Sequence, residues 1–229
     1  MAFILKSGDV EPVENEKQEI DYQAFADNAI IDGYPDAASR DYFLDEVAGR
    51  MKTLLQPNDT LLDYGCGTGE LCEYFSPSVG YYGIDAVTFK IEVAKNVHTA
   101  SYRKFENRMW SNTAFGTHVD PDTKTTWGVN INGLAVGSAI EGTPLEYLTV
   151  CIETMLRCSE KGILILAPLS DTNETYIDDG GKVRFSGKDI ISTSHDVYSK
   201  LYKTASFEHL SFEVINDGEV FILFIQKQK

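Results

Sequence analysis

The stretch that most limits what this chain can fold into is Leu61 to Leu71, LLDYGCGTGEL, which joins an apolar strand, a glycine cluster and a helix start. Thr60, Leu61 and Leu62 suit a buried strand, and Asp63 stands where that strand would end, followed by glycines at 65, 67 and 69. Glycines adopt backbone angles that residues with a Cβ avoid, and they let a ligand come close to the main chain. The residues after Gly69 (Glu70, Leu71, Cys72, Glu73, Tyr74 and Phe75) form helix readily, so the loop's free amides are expected at a helix N-terminus. That is a natural place for an anionic or carboxylate group.

Counted as the dinucleotide fingerprint G-x-G-x-x-G from Gly65, the stretch places Gly67 correctly but has Glu70 where the third glycine belongs. The fit to a nicotinamide or flavin site is therefore imperfect. Counted as Asp63-x-Gly65-x-Gly67-x-Gly69, it resembles motif I of the class I S-adenosylmethionine-dependent methyltransferases. The bland alternative is a glycine turn that holds no ligand.

A second acid supports the first count. Gly80 to Ile84 (GYYGI) is a short apolar segment ending in Asp85, 22 residues after Asp63, which fits one βαβ step. A carboxylate at the end of the second strand can accept hydrogen bonds from both ribose hydroxyls. In the family that Leu61–Leu71 resembles, the matching acid does this for S-adenosylmethionine. The competing role for Asp85 is to cap the next helix, Ala86 to Val97. The resemblance implies S-adenosyl-L-methionine as cofactor, with the backbone of Gly65, Cys66, Gly67 and Gly69 around it and Asp63 near its methionine amino group. It also implies Asp85 and Ala86 at the ribose, Glu106 (or Asn107) at the adenine edge, and Asn130 beside them.

The rest of the chain reads as alternating strands and helices. With 229 residues, 43% hydrophobic and 11% aromatic, it has material for one substantial core and one domain. After an N-terminal extension (1–35), the domain spans 36–229. It opens with a helix announced by Pro35 and Asp36, with Phe43, Val47, Met51, Leu54 and Leu55 at helical spacing before Pro57. Tyr102 to Phe105 and Trp127 to Leu134 are the third and fourth strands. Thr143-Pro144-Leu145-Glu146 starts a helix whose apolar face includes Leu145, Leu148, Ile152, Met155 and Leu156 and which Gly162 closes, before a strand at Ile163 to Ala167. A small insertion at about 171–193 contains a hairpin turning at Asp178 to Gly181, and Ser194 is expected to cap the helix after it. The two last strands are joined by Asn216-Asp217-Gly218. These elements imply an α/β fold: a seven-stranded, mostly parallel sheet with helices on both faces and an antiparallel C-terminal hairpin.

Composition narrows the partners. A formal charge of −15 repels polyanions and disfavours nonspecific nucleic-acid binding. The one local basic stretch, Arg103, Lys104 and Arg108 with Tyr102, Phe105 and Trp110, reads either as a nucleotide-stacking patch or as a solvated face. Cys66, Cys72, Cys151 and Cys158 form no C-x-x-C pair and read as reduced, packed thiols. The apolar runs are too short for a membrane span and the N-terminus lacks a signal sequence, so a soluble, cytoplasmic protein is expected. His118 and Asp120 make too small a set for a metal, and none is assigned.

On the acceptor side the residues say less. Tyr22, Phe25, Tyr34 and the 171–193 insertion are placed to act as a lid, and Tyr22, Tyr34 and Asn132 are the candidate substrate contacts. His195, in the segment STSHD, is the candidate general base, with a capping or surface role as the alternative. The chain departs from the family pattern at Gly128, where an acid commonly follows the aromatic residue. It also lacks the (Asp/Asn/Ser)-Pro-Pro-(Tyr/Phe) signature of amino-group DNA methyltransferases and a Pro-Cys nucleophile. A small-molecule acceptor is thus favoured, an RNA or protein acceptor is the alternative, and a non-catalytic S-adenosylmethionine-binding sensor or partner subunit is a third reading.

Overall fold

A computed structural model describes residues 37–108, 123–133, 143–179, 181–203 and 209–227. The expectations for Tyr22, Phe25, Tyr34, Trp110, His118 and Asp120 lie outside the described residues.

The centre of the molecule is set by three strands that are buried along most of their length: β1 (Thr60–Tyr64), β4 (Thr125–Ile131) and β5 (Ser159–Pro168). Such strands must be covered on both faces. They join β2 (Gly80–Asp85), β3 (Arg103–Asn107), β8 (His209–Ile215) and β9 (Val220–Gln226) in one seven-stranded sheet of order β3-β2-β1-β4-β5-β9-β8. All neighbours from β3 to β5 run parallel, while β9 is antiparallel to both β5 and β8. Strand order reverses between β1 and β4, and on a parallel sheet such a reversal opens a crevice at the strands' carboxyl ends.

Two apolar cores flank the sheet. On one face, α1 (Ala37–Leu54) packs Phe43, Val47 and Met51 over Leu61, Val129 and Leu164, beside α2 (Thr88–Val97) with Ile91 and Ala94. On the other, α3 (Pro144–Cys158) and α4 (Gly187–Tyr202) pack Leu148, Ile152, Met155, Ile190 and Val197 over Leu62, Ile163, Ile165 and Leu223. The capping box expected at Thr143 is formed: the Glu146 amide donates to the Thr143 hydroxyl at 3.3 Å, and the Thr143 amide donates to the Glu146 carboxylate at 2.8 Å. All four cysteines are buried as thiols. Between β5 and α4, β6 (Tyr176–Ile177) and β7 (Val183–Arg184) form a separate hairpin. Among the described residues, no helix is long and apolar enough to cross a membrane.

Five local expectations are corrected. After the glycine loop the chain forms a 3-10 turn at Glu70–Tyr74, not an α-helix. Only residues 70–79 are available to return from the top of β1 to the bottom of β2, and a 3-10 helix rises about 2.0 Å per residue against 1.5 Å for an α-helix. Helix α2 begins at Thr88 rather than Ala86, because the Asp85 carboxylate accepts the Val87 amide at 2.8 Å and holds that turn open. Gly162 lies inside β5 rather than closing a helix: a Cβ there would sit 2.2 Å from the Ile225 carbonyl oxygen, so the glycine permits the β5–β9 approach. Leu145 is 40% exposed, its place on the apolar face being taken by Tyr147 and Cys151. Ser186, not Ser194, caps α4 by accepting the Asp189 amide at 3.2 Å; Ser194 is buried mid-helix and donates to the Ile190 carbonyl at 2.7 Å.

Candidate functional site

The carboxyl ends of β1 and β2 meet in a turn whose glycines at 65, 67 and 69 all have left-handed φ, at +75°, +58° and +91°. Much of the loop's hydrogen bonding is internal. The Gly65 and Cys66 amides both donate to the Ile84 carbonyl (2.8 and 3.0 Å), and the Gly69 amide donates to Cys66 (2.9 Å). The Gly67 amide donates to the Asp85 carboxylate at 3.0 Å. These four amides are therefore not the free donors expected from the sequence. What the loop offers is close approach: among the described residues, a Cβ built on Gly67 would meet nothing within 4 Å, so none of them covers the main chain there.

Asp85 is 8% exposed and held from two sides, by Gly67 through one oxygen and by the Val87 amide through the other. Its backbone carbonyl accepts both the Asn107 side-chain amide and the Arg108 amide at 3.0 Å, fastening the end of β3 to the end of β2. Each carboxylate oxygen keeps a second acceptor direction, so Asp85 is a fixed acceptor at the rim.

Below the loop lies Asp63, 3% exposed, whose carboxylate accepts the Tyr81 hydroxyl. Burial pushes the Asp63 carboxyl up to about 7; the negative charges of Asp85 and Glu70 add to this, and the Tyr81 hydrogen bond works against it. Against Phe105 of β3, buried His98 donates from Nε2 to the Thr68 carbonyl at 3.0 Å, with Nδ1 3.2 Å from Glu73, and burial lowers its pKa. His98 and Phe105 crowd Gly69 so closely that a Cβ there would lie 2.7 Å from the Phe105 ring.

Across the crevice, the fully buried Asn130 donates to the Tyr64 carbonyl and clamps the ends of β1 and β4. Asn132, just past β4, has φ +56° and donates its amide to the Leu166 carbonyl at 2.8 Å. Its side-chain oxygen is buried and has no hydrogen-bond partner among the described residues.

Solved structures share the fold of this chain. One is the 1,6-didemethyltoxoflavin-N1-methyltransferase of Burkholderia thailandensis, with bound 1,6-didemethyltoxoflavin and S-adenosylhomocysteine. It aligns over 96% of this chain and 94% of its own, at 13% identity and a TM-score of 0.60. An S-adenosylmethionine-dependent methyltransferase from Clostridium acetobutylicum ATCC 824 aligns over 91% of this chain and 99% of its own, at 13% identity and a TM-score of 0.59. The fold is that of the class I S-adenosylmethionine-dependent methyltransferases. A 4+2 cyclase has it too, at 15% identity and a TM-score of 0.59 over 83% of this chain and 81% of its own, so the fold alone does not name a reaction. No protein-family model matches the sequence, and a sequence comparison with curated proteins finds no match.

Within the methyltransferase fold, the residues singled out from the sequence divide into groups. Asp63, Gly65, Cys66, Gly67, Gly69, Asp85 and the exposed Ala86 gather at the β1–β2 rim, with Asn130 and Asn132 at the end of neighbouring β4. Glu106 is engaged elsewhere: it pairs with Lys104 at 2.5 Å and Arg108 at 2.6 Å and accepts the Tyr82 hydroxyl at 2.8 Å. Burial works to raise its pKa, but these partners outweigh it and hold the carboxyl at about 2. Asn107, tied to Asp85, is the polar side chain that β3 brings to the rim. The same ion pairs neutralise two of the three cations of the basic stretch. His195 is exposed in the middle of α4 rather than facing the crevice, because the helix already starts at Gly187. Gly128, which replaces the family's acid, is explained by packing: a Cβ there would lie 2.6 Å from Ser159 Oγ. Among the described residues no group of three or more His, Cys, Asp or Glu could hold a metal. Tyr81 escaped the sequence reading; the available signal was that a buried Asp63 needs a polar partner on the adjacent strand.

Proposed function

We propose that this chain transfers the methyl group of S-adenosylmethionine to a small-molecule acceptor. The observation that carries the reading is the pairing, on one rim, of a buried carboxyl beneath bare glycine backbone with a second carboxylate fixed at the end of the next strand. This set fits a ligand with an ammonium group at one end and a ribose diol at the other. Asp63 offsets its burial by meeting the ammonium, Gly67 admits the ligand to van der Waals distance of the main chain, and Asp85 accepts from the hydroxyls. When bound, the sulfonium supplies an already activated methyl group.

The chain's remaining task is to orient an acceptor and keep water out. Asn132 offers a buried carbonyl oxygen to an acceptor N–H or O–H, and Tyr22, Tyr34 and the 171–193 segment are proposed as the acceptor-facing lid. No side chain is assigned as general base, since His195 lies on the exposed face of α4. Three points support a small acceptor over RNA: the net charge of −15, the engagement of Lys104 and Arg108 by Glu106, and the small-molecule ligand of the Burkholderia structure.

The test is incubation with methyl-labelled S-adenosylmethionine and a size-fractionated cell extract. Label in the low-mass fraction is expected. Label confined to RNA or protein would overturn the acceptor class, and binding without transfer to any fraction would favour the sensor reading.

A further inference from the structure

We propose that Tyr81 is a positioning residue that works with Asp63 as a proton-exchanging pair, so that binding of the methyl donor's ammonium group expels one proton from the site. The inference rests on the reading of Asp63 as the ammonium's neighbour and adds what sets its charge. Tyr81 lies two positions before Gly83, the register partner of Asp63, so its side chain shares a sheet face with Asp63 and reaches it diagonally. Both groups are buried, at 2% and 3% exposure, and the phenol donates directly to the carboxylate.

The other groups acting on Asp63 are acids or neutral thiols. Asp85 stands at the end of β2 and Glu70 in the 3-10 turn, while Cys66 and Cys72 are thiols whose own pKa values burial drives upward. Opposite Asp63, β4 supplies only Val129. No described cation offsets a charge on Asp63, so the empty pair holds a proton into the neutral range, and the Tyr81 hydroxyl is the one contact that favours the ionised form. An incoming ammonium trades places with that proton: the carboxyl O–H bond breaks, the proton leaves to solvent, and a charge-assisted hydrogen bond to nitrogen forms.

Two ligands separate this from a general pH effect. S-adenosylhomocysteine carries the ammonium; 5′-methylthioadenosine has the same nucleoside and no amino-acid end. By calorimetry between pH 5.5 and 8.5, S-adenosylhomocysteine affinity should fall about tenfold per pH unit below about 7, while 5′-methylthioadenosine affinity stays flat. Tyr81→Phe should move the S-adenosylhomocysteine midpoint up by about one pH unit, with wild-type and variant affinities converging at pH 8.5.

Equal pH dependence for both ligands, or none for either, overturns the proposal, as does a Tyr81→Phe loss that is uniform across pH. If the variant does not fold, the two-ligand comparison on the intact chain decides alone. Failure of both ligands to bind at any pH would instead remove the donor assignment itself.

Discussion

The rim where β1 and β2 end and the junction of β5 and β9 under α3 and α4 are built on opposite principles. At the junction, Ile163 to Ala167 of β5, Phe221, Leu223 and Ile225 of β9 and Ile152, Met155 and Leu156 of α3 are essentially inaccessible and apolar. Each such Ile, Leu, Phe or Met side chain contributes roughly 1.5–3 kcal/mol by leaving water. At the rim, the chain buries two carboxyls within reach of each other and puts three glycines of one turn in the left-handed region. One region accumulates stability, and the other uses some of it to keep acids out of water, Asp63 contacted by the Tyr81 hydroxyl and Asp85 by two amides. That asymmetry is a physical signature of a site.

The comparison breaks most visibly at Gly162. Gly162→Val forces a side chain to within 2.2 Å of the Ile225 carbonyl, so β9 must separate from β5; a stability loss above about 4 kcal/mol is expected by urea denaturation. A wild-type midpoint would show that the junction is not so close-packed.

The rim should respond in the opposite direction. Asp63 titrates at about 7 when folded against an ordinary 3.8, so the folded chain holds a proton between about pH 4 and 7 that the unfolded chain has released. The stability due to the neutral carboxyl is complete below pH 4 and is lost as pH rises to 7. Asp63→Asn should therefore stabilise the ligand-free chain by up to about 4 kcal/mol at pH 8 and by nothing at pH 4. Thermal melts across pH check this, and a destabilised variant at pH 8 would refute the stored-cost picture. The variant should also bind the donor more weakly.

Asp85→Ala sharpens the contrast between stability and binding. It removes an acceptor bonded to the Gly67 and Val87 amides, and S-adenosylmethionine affinity should fall about 10- to 100-fold by calorimetry. Unchanged affinity would dismiss the ribose assignment. The smallest effect belongs to His195→Ala, on the exposed side of α4. Stability within about 0.5 kcal/mol of wild type and unaltered methyl transfer are expected, and a large loss of turnover would restore His195 to the site.

What could be read from the sequence followed from local rules. Three glycines, an acid at each strand end and a Thr-Pro-x-Glu cap are recognisable within a few residues of chain, and the left-handed loop, the β2 acid and the start of α3 stand where those residues put them. The two glycine misreadings share one cause. Gly162 reads locally as a helix stop and Gly128 as a departure from the family pattern, but both lie where another strand passes within contact distance. Ser194 instead stands inside a helix that starts earlier than expected, bonded to its own preceding turn. At Glu106 the β3 acid was foreseen, but not its capture by its chain neighbours Lys104 and Arg108 and by Tyr82 of β2.

By itself, then, the sequence determined the alternation of strands and helices and the glycine backbone after β1, because periodicity and φ preferences act over a few residues; the reversal of strand order that leaves a crevice beside β1 belongs to the assembled sheet. Only the tertiary structure decided which polar groups share that crevice. Tyr81 reaches Asp63 across two strands, Asn107 fastens Asp85 from a third, and Asn132 comes from a fourth with its side-chain oxygen unpartnered among the described residues. Burial and distance between residues remote in the chain set whether a carboxyl keeps its proton, and no local pattern encodes either quantity.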